Sequence, residues 1–261
     1  MKKVMLLLSL FLVVPFSHAY GSAQEVNYVA LGDSLAKGMN PYKIVGKGYS
    51  DKLVPLLEQE GHSVTFSKEF AVPGYTTENL LQDLEVNAYS KHENLFHSVE
   101  NASLITVQAG ANDLLHYIAP HRQHMVSLSN SEWESLLQQT QQNMETILER
   151  IRDLNPTSDV YVVGYYFPFS NIDNPFQEQN LKQRVLELNG ALQKAASSQE
   201  HVYYVSTENL FSQNRQAYLP NKIDIHPSQQ GYDLLAQRIF NTIHFSERFL
   251  HGTSPTLHSL K

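Results

Sequence analysis

Tyr28-Val29-Ala30-Leu31-Gly32-Asp33-Ser34-Leu35 is the stretch on which the reading of this chain turns. An apolar run that stops at Gly and short polar residues has the pattern of a buried strand ending in a tight turn. Ser34 then stands at the strand's carboxyl end, where open parallel α/β sheets hold their ligands and where a following helix would aim its N–H groups at an anion. Two readings of the turn follow: Ser34 is a nucleophile, or Asp33 and Ser34 merely cap the next helix.

Outward from this stretch, four more short apolar runs occupy residues 63–70, 104–109, 160–166 and 202–205, and helical patterns separate them. The clearest pattern begins near Ser131 and sets Trp133, Leu136, Thr140, Met144, Ile147, Ile151 and Leu154 at three- and four-residue steps, ending before Pro156. Others cover residues 49–60, 176–197 and 228–245, the last with Ser228 as N-cap after Pro227. Residues 85–103 carry a weaker helical signal, and residues 247–261 lose periodicity and read as a loose tail. The run at 63–70 alternates with polar residues, as an edge strand does. Strands that alternate with helices imply right-handed crossovers, so the fold class is α/β: a three-layer α/β/α sandwich around a mostly parallel five-stranded sheet.

The chain starts Met1-Lys2-Lys3, runs apolar from Val4 to Phe16 and ends that run in Ser17-His18-Ala19. A basic start, a short apolar core and small residues before the cut predict a secretory signal peptide over residues 1–19, with a second small-x-small site at Gly21-Ser22-Ala23 that allows cleavage as late as 23. The expected protein is secreted, with one domain of ordinary α/β size over residues 24–250, a tail over 251–261 and no integral membrane segment. No cysteine occurs in the 261 residues, so stability rests on the core alone and every thiol-based site is excluded. The net charge of −7 becomes more negative once Lys2 and Lys3 are removed. That balance argues against nucleic acid and anionic lipid surfaces as partners.

The chemistry gathers at the ends of the first three strands: Ser34 after the first, Ala71-Val72-Pro73-Gly74 after the second, Gly110-Ala111-Asn112-Asp113 after the third. With a strand order of 2-1-3-4-5, Gly74 and Asn112 flank Ser34 on either side. Near the C-terminus, Asp224 and His226 are two residues apart in Lys222-Ile223-Asp224-Ile225-His226-Pro227-Ser228. Residues i and i+2 of an extended segment face one way, so Asp224 is placed to accept the Nδ1 hydrogen of His226 and leave Nε2 as a base.

These blocks, in this order, resemble the SGNH hydrolases, the GDSL family of lipases and esterases, in a secreted bacterial-type form. Gly32-Asp33-Ser34-Leu35 matches the nucleophile motif, Gly74 the oxyanion glycine, Gly110-Ala111-Asn112-Asp113 the G-x-N-D block, and His226-Pro227 the final histidine element. The family usually has two residues between acid and histidine, whereas one stands between Asp224 and His226. Either the short spacing is a tolerated variant or the acid is less well placed. The resemblance implies a flavodoxin-like sandwich and a Ser34-His226-Asp224 mechanism with an oxyanion hole from Ser34, Gly74 and Asn112. It further implies no metal or organic cofactor, and a small-molecule or lipid acyl ester, thioester or lysophospholipid as substrate. Two alternatives stand beside it: an O-acetyl esterase acting on cell-wall or plant polysaccharide, and a binding module without turnover.

Other patterns in the chain are weaker. Ser34 and Lys37 have the serine-lysine spacing of penicillin-binding enzymes, but the companion motifs are missing. His116, His121 and His124 lack the spacing of a metal site and read as surface or loop histidines. Asp33 and Asp113 read as structural, bonding the backbone at their own turns. The aromatics at 165–169 read either as the lining of an acyl pocket or as ordinary packing, and residues 114–130 as an irregular insertion contributing to a lid.

Overall fold

The computed structural model describes residues 24–90, 94–118, 128–169, 172 and 174–250, with only the backbone described at 116–118, 245 and 247–250. The expected signal peptide, the tail at 251–261 and the centre of the 114–130 insertion therefore lie outside the described residues.

Five strands alternate with helices in chain order: β1 (Glu25–Gly32), α1 (Ser34–Lys37), α2 (Tyr49–Gln59), β2 (Ser63–Ser67), α3 (Thr77–Val86), α4 (Leu95–Glu100), β3 (Leu104–Gln108), α5 (Ala111–Ile118), α6 (Asn130–Leu154), β4 (Asp159–Val163), α7 (Pro175–Ala196), β5 (Val202–Val205), α8 (Arg215–Tyr218) and α9 (Gln229–Leu250). All neighbouring strands are parallel, in the order β2-β1-β3-β4-β5. Helices cover both faces, with α2 packed on α9 and α6 packed on both α3 and α7. This is the α/β sandwich expected from the alternation. Continuous apolar runs became the interior strands: β3 is buried throughout and β4 in all but its first residue. The polar-interrupted run became the edge strand β2, which ends at Ser67 because Lys68 and the residues after it turn back toward β1. Buried side chains such as Leu31, Ile105, Ile147 and Val162 fuse the layers, and truncating a core residue of this kind to Ala costs about 2–5 kcal/mol.

Helix ends follow local capping chemistry. Ser129 accepts from the Glu132 N–H while Glu132 reaches back to the Ser129 N–H, which starts α6 one residue ahead of the expected position. Thr76 and Asn79 form the same reciprocal pair at the start of α3. The Ser228 hydroxyl accepts from the Gly231 N–H at 3.2 Å and so caps α9 as expected.

Three readings need correction. Residues 114–118 are not irregular, since α5 continues through them. Residues 85–103 are not one weak helix: α3 ends at Val86, Asn87 adopts a left-handed conformation there, and the chain makes a Tyr89–Asn94 bridge before α4. The C-terminal helix runs to Leu250, five residues past the expected end, so 247–250 is not part of a loose tail.

The β1–β3 junction fixes the turn that carries Ser34. Gly32 pairs with Gln108, and the Asp33 N–H donates to the Gln108 carbonyl at 2.9 Å. A Cβ on Gly32 would lie 2.0 Å from that carbonyl oxygen, and its φ is +128°. Both space and backbone conformation demand glycine here.

Candidate active site

Asp33 takes the capping role that the sequence left open between two residues. Its Oδ1 accepts the Leu35 N–H at 2.8 Å, which leaves the Ser34 hydroxyl available at the first helical position. Ser34 Oγ lies 2.8 Å from His226 Nε2, and His226 Nδ1 lies 2.6 Å from Asp224 Oδ1. All three residues are buried. With the Nδ1 hydrogen given to the carboxylate, Nε2 is the nitrogen that accepts from the serine hydroxyl. The structure thus brings Ser34, His226 and Asp224 into one hydrogen-bonded chain.

The short acid-to-histidine spacing has a local explanation. The same Asp224 Oδ1 accepts the backbone N–H of His226 at 2.9 Å, so the carboxylate folds over its own chain in a turn that also presents it to the ring. One intervening residue is enough for contact when backbone and side chain of the histidine share one oxygen.

Two consecutive tyrosines hold the two halves of this chain in place. After β4, Tyr165 donates its hydroxyl to Asp33 Oδ2 at 2.8 Å, and Tyr166 donates to the Ile225 carbonyl at 2.7 Å. Asn189 of α7 pairs with the backbone of Tyr165 through both its amide groups, at 2.8 and 2.7 Å. Burial lifts the Asp33 carboxyl from 3.8 to about 6 against the opposing pull of its hydrogen bonds. Burial, with Asp33 beside it, also raises the Tyr165 phenol well above its ordinary range, so the hydroxyl remains a donor. Sequence reading placed these aromatics at the right edge of the sheet but missed their hydroxyl roles. The only signal was two tyrosines directly after a strand.

The second and third blocks are bonded to the first and to each other. Val72 donates to the Gly32 carbonyl at 2.8 Å, and Tyr75 N–H closes a turn onto the Val72 carbonyl at 3.1 Å. Pro73 and Gly74 occupy its centre, and the glycine's φ of +90° is the value such a Pro-Gly turn requires. The Asn112 amide donates to the Tyr75 carbonyl at 2.8 Å. Asp113 also reaches beyond its own turn: it accepts from the N–H of Thr77 at 2.9 Å and from the Thr77 hydroxyl, 36 residues away. Asn143 of α6 donates to that same hydroxyl at 3.0 Å. The G-A-N-D block therefore stitches the Gly74 turn and the start of α3 to the end of β3.

Beside Ser34 opens a cleft of about 70 Å³ whose walls are overwhelmingly apolar: Leu115, Trp133, Phe169, Leu181 and Leu188 among them, with Asn112 also on its lining. Tyr165, Tyr166, Pro168 and Phe169 line it, so the aromatic run serves the pocket, whereas Phe167 turns away beneath Lys182 and Arg215. Lys37 does not approach the serine, because its ammonium donates to the Lys68 carbonyl at 3.0 Å. The side chains of His116, His121 and His124 lie outside the described residues. Among the described residues no three His, Asp or Glu side chains converge as metal ligands.

A sequence model of the GDSL-like lipase/acylhydrolase family matches residues 30–234, from the strand before Ser34 to the helix after His226. The chain belongs to this family. Its activity is the family's, hydrolysis of carboxylic esters. A relative in Bacillus subtilis (strain 168), the uncharacterized protein YpmR, is 26% identical over 229 residues, covering 87% of this chain and 85% of that protein. Among solved structures, the lipase Lip_vut3 from a goat rumen metagenome superimposes with a TM-score of 0.66 at 22% identity, covering 85% of this chain and 97% of the lipase. A family 3 carbohydrate esterase of Clostridium thermocellum gives 0.56 at 18% identity, covering 87% and 98%.

Proposed function

We propose that Ser34 is the nucleophile of a two-step acyl transfer in which His226 is the base and Asp224 orients it. His226 takes the proton of Ser34 as the serine oxygen attacks the ester carbonyl, then returns it to the departing alcohol. Water, activated by the same histidine, releases the acid from the acyl-serine. The observation that carries this reading is the unbroken chain of contacts at 2.8 and 2.6 Å from Ser34 through His226 to Asp224.

The negative charge that develops on the carbonyl oxygen falls to three donors: the N–H groups of Ser34 and Gly74 and the amide of Asn112. The first N–H groups of a helix have no acceptor within it, and Ser34 opens α1. What supports this assignment is that Gly74 is held by the turn at Val72 and Tyr75 and Asn112 by the Tyr75 carbonyl, since donors fixed before charge appears need no reorganisation.

The substrate we infer is an ester with an extended apolar acyl group, because the walls beside Ser34, with Leu115, Trp133, Phe169, Leu181 and Leu188, are apolar side chains suited to a hydrocarbon chain. Acetate release from polysaccharide is the competing reading, and the likeness to a carbohydrate esterase supports it only at the level of fold. Export with removal of residues 1–19 completes the proposal.

A chromogenic ester series from acetyl to palmitoyl, run beside acetate release from acetylated xylan, tests the assignment. Turnover should rise from acetyl to medium-length chains and be absent in Ser34→Ala, with a loss on the order of 10³-fold or more. Undiminished turnover by a folded Ser34→Ala variant overturns the mechanism, and a preference for acetyl overturns the substrate class. N-terminal sequencing of protein from the culture medium tests export.

A further inference from the structure

Residues 39–47, Met39-Asn40-Pro41-Tyr42-Lys43-Ile44-Val45-Gly46-Lys47, leave the body of the protein after α1 and return to it before α2. They form a small braced hairpin: Met39 bridges Val45, Asn40 N–H donates to the Ile44 carbonyl at 2.9 Å, and the Asn40 side chain accepts from the N–H groups of both Tyr42 and Ile44. Local bonding of this density fixes the tip's shape.

That tip presents apolar side chains to solvent. Tyr42 is 72% exposed, Ile44 62% and Val45 46%, in a protein whose core takes in nearly every other large aliphatic residue of its strands. A second loop adjoins it and adds Ile223 at 77% exposure. One bond joins the two loops, Asn221 to the Pro41 carbonyl at 2.8 Å, and two more brace the hairpin against α9: Gln229 to the Lys47 carbonyl at 3.1 Å and Tyr232 to the Met39 carbonyl at 2.6 Å.

Charge is distributed against the whole-chain trend. Lys43, Lys47 and Lys222 interleave with these apolar residues and are all exposed, and neither 39–47 nor 219–223 contains an acid, although the chain as a whole is −7. The reading of net charge that argued against anionic surfaces is thus reversed locally. Apolar side chains that protrude among lysines match the boundary between acyl chains and anionic headgroups, where burial and charge attraction act together. A protein partner fits less well, since a standard interface needs roughly 800 Å² per side and a convex tip of four apolar side chains falls short of it.

We propose that the 39–47 hairpin, with Lys222 and Ile223, is a docking surface for an anionic phospholipid bilayer. The second of these loops continues directly into Asp224 and His226, so docking sets the active-site loop against the bilayer.

Co-sedimentation of the full chain with vesicles of phosphatidylcholine alone or mixed with phosphatidylglycerol tests this. The variants are Lys43→Glu/Lys222→Glu and Ile44→Ser/Ile223→Ser, each checked for an unchanged melting temperature. Residues 4–16 are common to every variant, so the readout is the difference from wild type. Each pair should weaken binding to phosphatidylglycerol vesicles by roughly tenfold or more, the lysine pair chiefly at low salt, and leave turnover of a soluble short-chain ester unchanged. Equal binding by wild type and both variants overturns the proposal. So does a loss confined to self-association in sedimentation equilibrium, which assigns the tip to a second copy of the chain.

Discussion

Tyr165 reaches back 132 residues to donate its hydroxyl to Asp33 at 2.8 Å, and so ties the end of β4 to the residue that caps the nucleophile's helix. The bond is made to a carboxyl held at about 6 by burial, against 3.8 in an ordinary setting. The native state therefore keeps this proton where the unfolded chain has released it. Stability from this group is complete at pH below 3.8 and declines as pH rises through about 6. Asp33→Asn keeps an acceptor for the Leu35 N–H and removes the charge. Its melting temperature should fall less than that of wild type between pH 4 and 7, the gap at pH 7 being at most about 3 kcal/mol. Parallel melting curves for the two proteins across that range show that Asp33 does not titrate in this way.

Asp224 acts on His226 twice, through the ring and through the backbone. Asp224→Ala removes both bonds and should lower turnover by roughly 10 to 10³-fold, less than His226→Ala, because the imidazole itself remains beside Ser34. Turnover at the wild-type level in a folded Asp224→Ala enzyme means that another group orients the histidine.

Asn112 has two separable jobs, a bond to the Tyr75 carbonyl and donation to the developing oxyanion. The second is made mainly in the transition state. Asn112→Ala should therefore lower kcat by roughly 10² to 10³-fold with little change in KM. Measuring both constants and the melting temperature separates the jobs: a raised KM with unchanged kcat in a stable protein sinks the oxyanion role. Thr77→Val, which removes only the hydroxyl between Asp113 and Asn143, should lower stability and leave KM near its wild-type value.

The assigned steps move protons among Ser34, His226 and Asp224 and call on no Lewis acid. EDTA should leave the initial rate with a short-chain ester unchanged. A sustained loss that a divalent ion restores brings the histidines at 116, 121 and 124 back into consideration.

The strands were legible because burial imposes its own pattern on them: β1, β3 and β4 are predominantly apolar and largely buried, and β2 alternates with polar residues at the sheet's edge. A strand order of 2-1-3-4-5, which the sheet has, is the condition on which Gly74 and Asn112 are expected on either side of Ser34. Less could be read where a polar atom's partner is chosen by tertiary structure. The hydroxyls of Tyr165 and Tyr166 go to Asp33 and to the Ile225 carbonyl, and Asp113 reaches Thr77, 36 residues away. Nothing in the spacing of those residues marks such targets. α3 escaped notice because its capping box uses Asn79 where Glu or Gln is usual, and the Asn40-centred hairpin because its bonds are made by one side chain to backbone.

The contact between Ser34 and His226 spans 192 residues, and four of the five strands, β2 to β5, lie between the two. A chain still leaving the ribosome carries its serine for nearly the whole of synthesis without the imidazole that makes it reactive. Labelling of Ser34 by a fluorophosphonate then serves as a clock for folding: the probe registers the moment at which the last loop closes over the first strand.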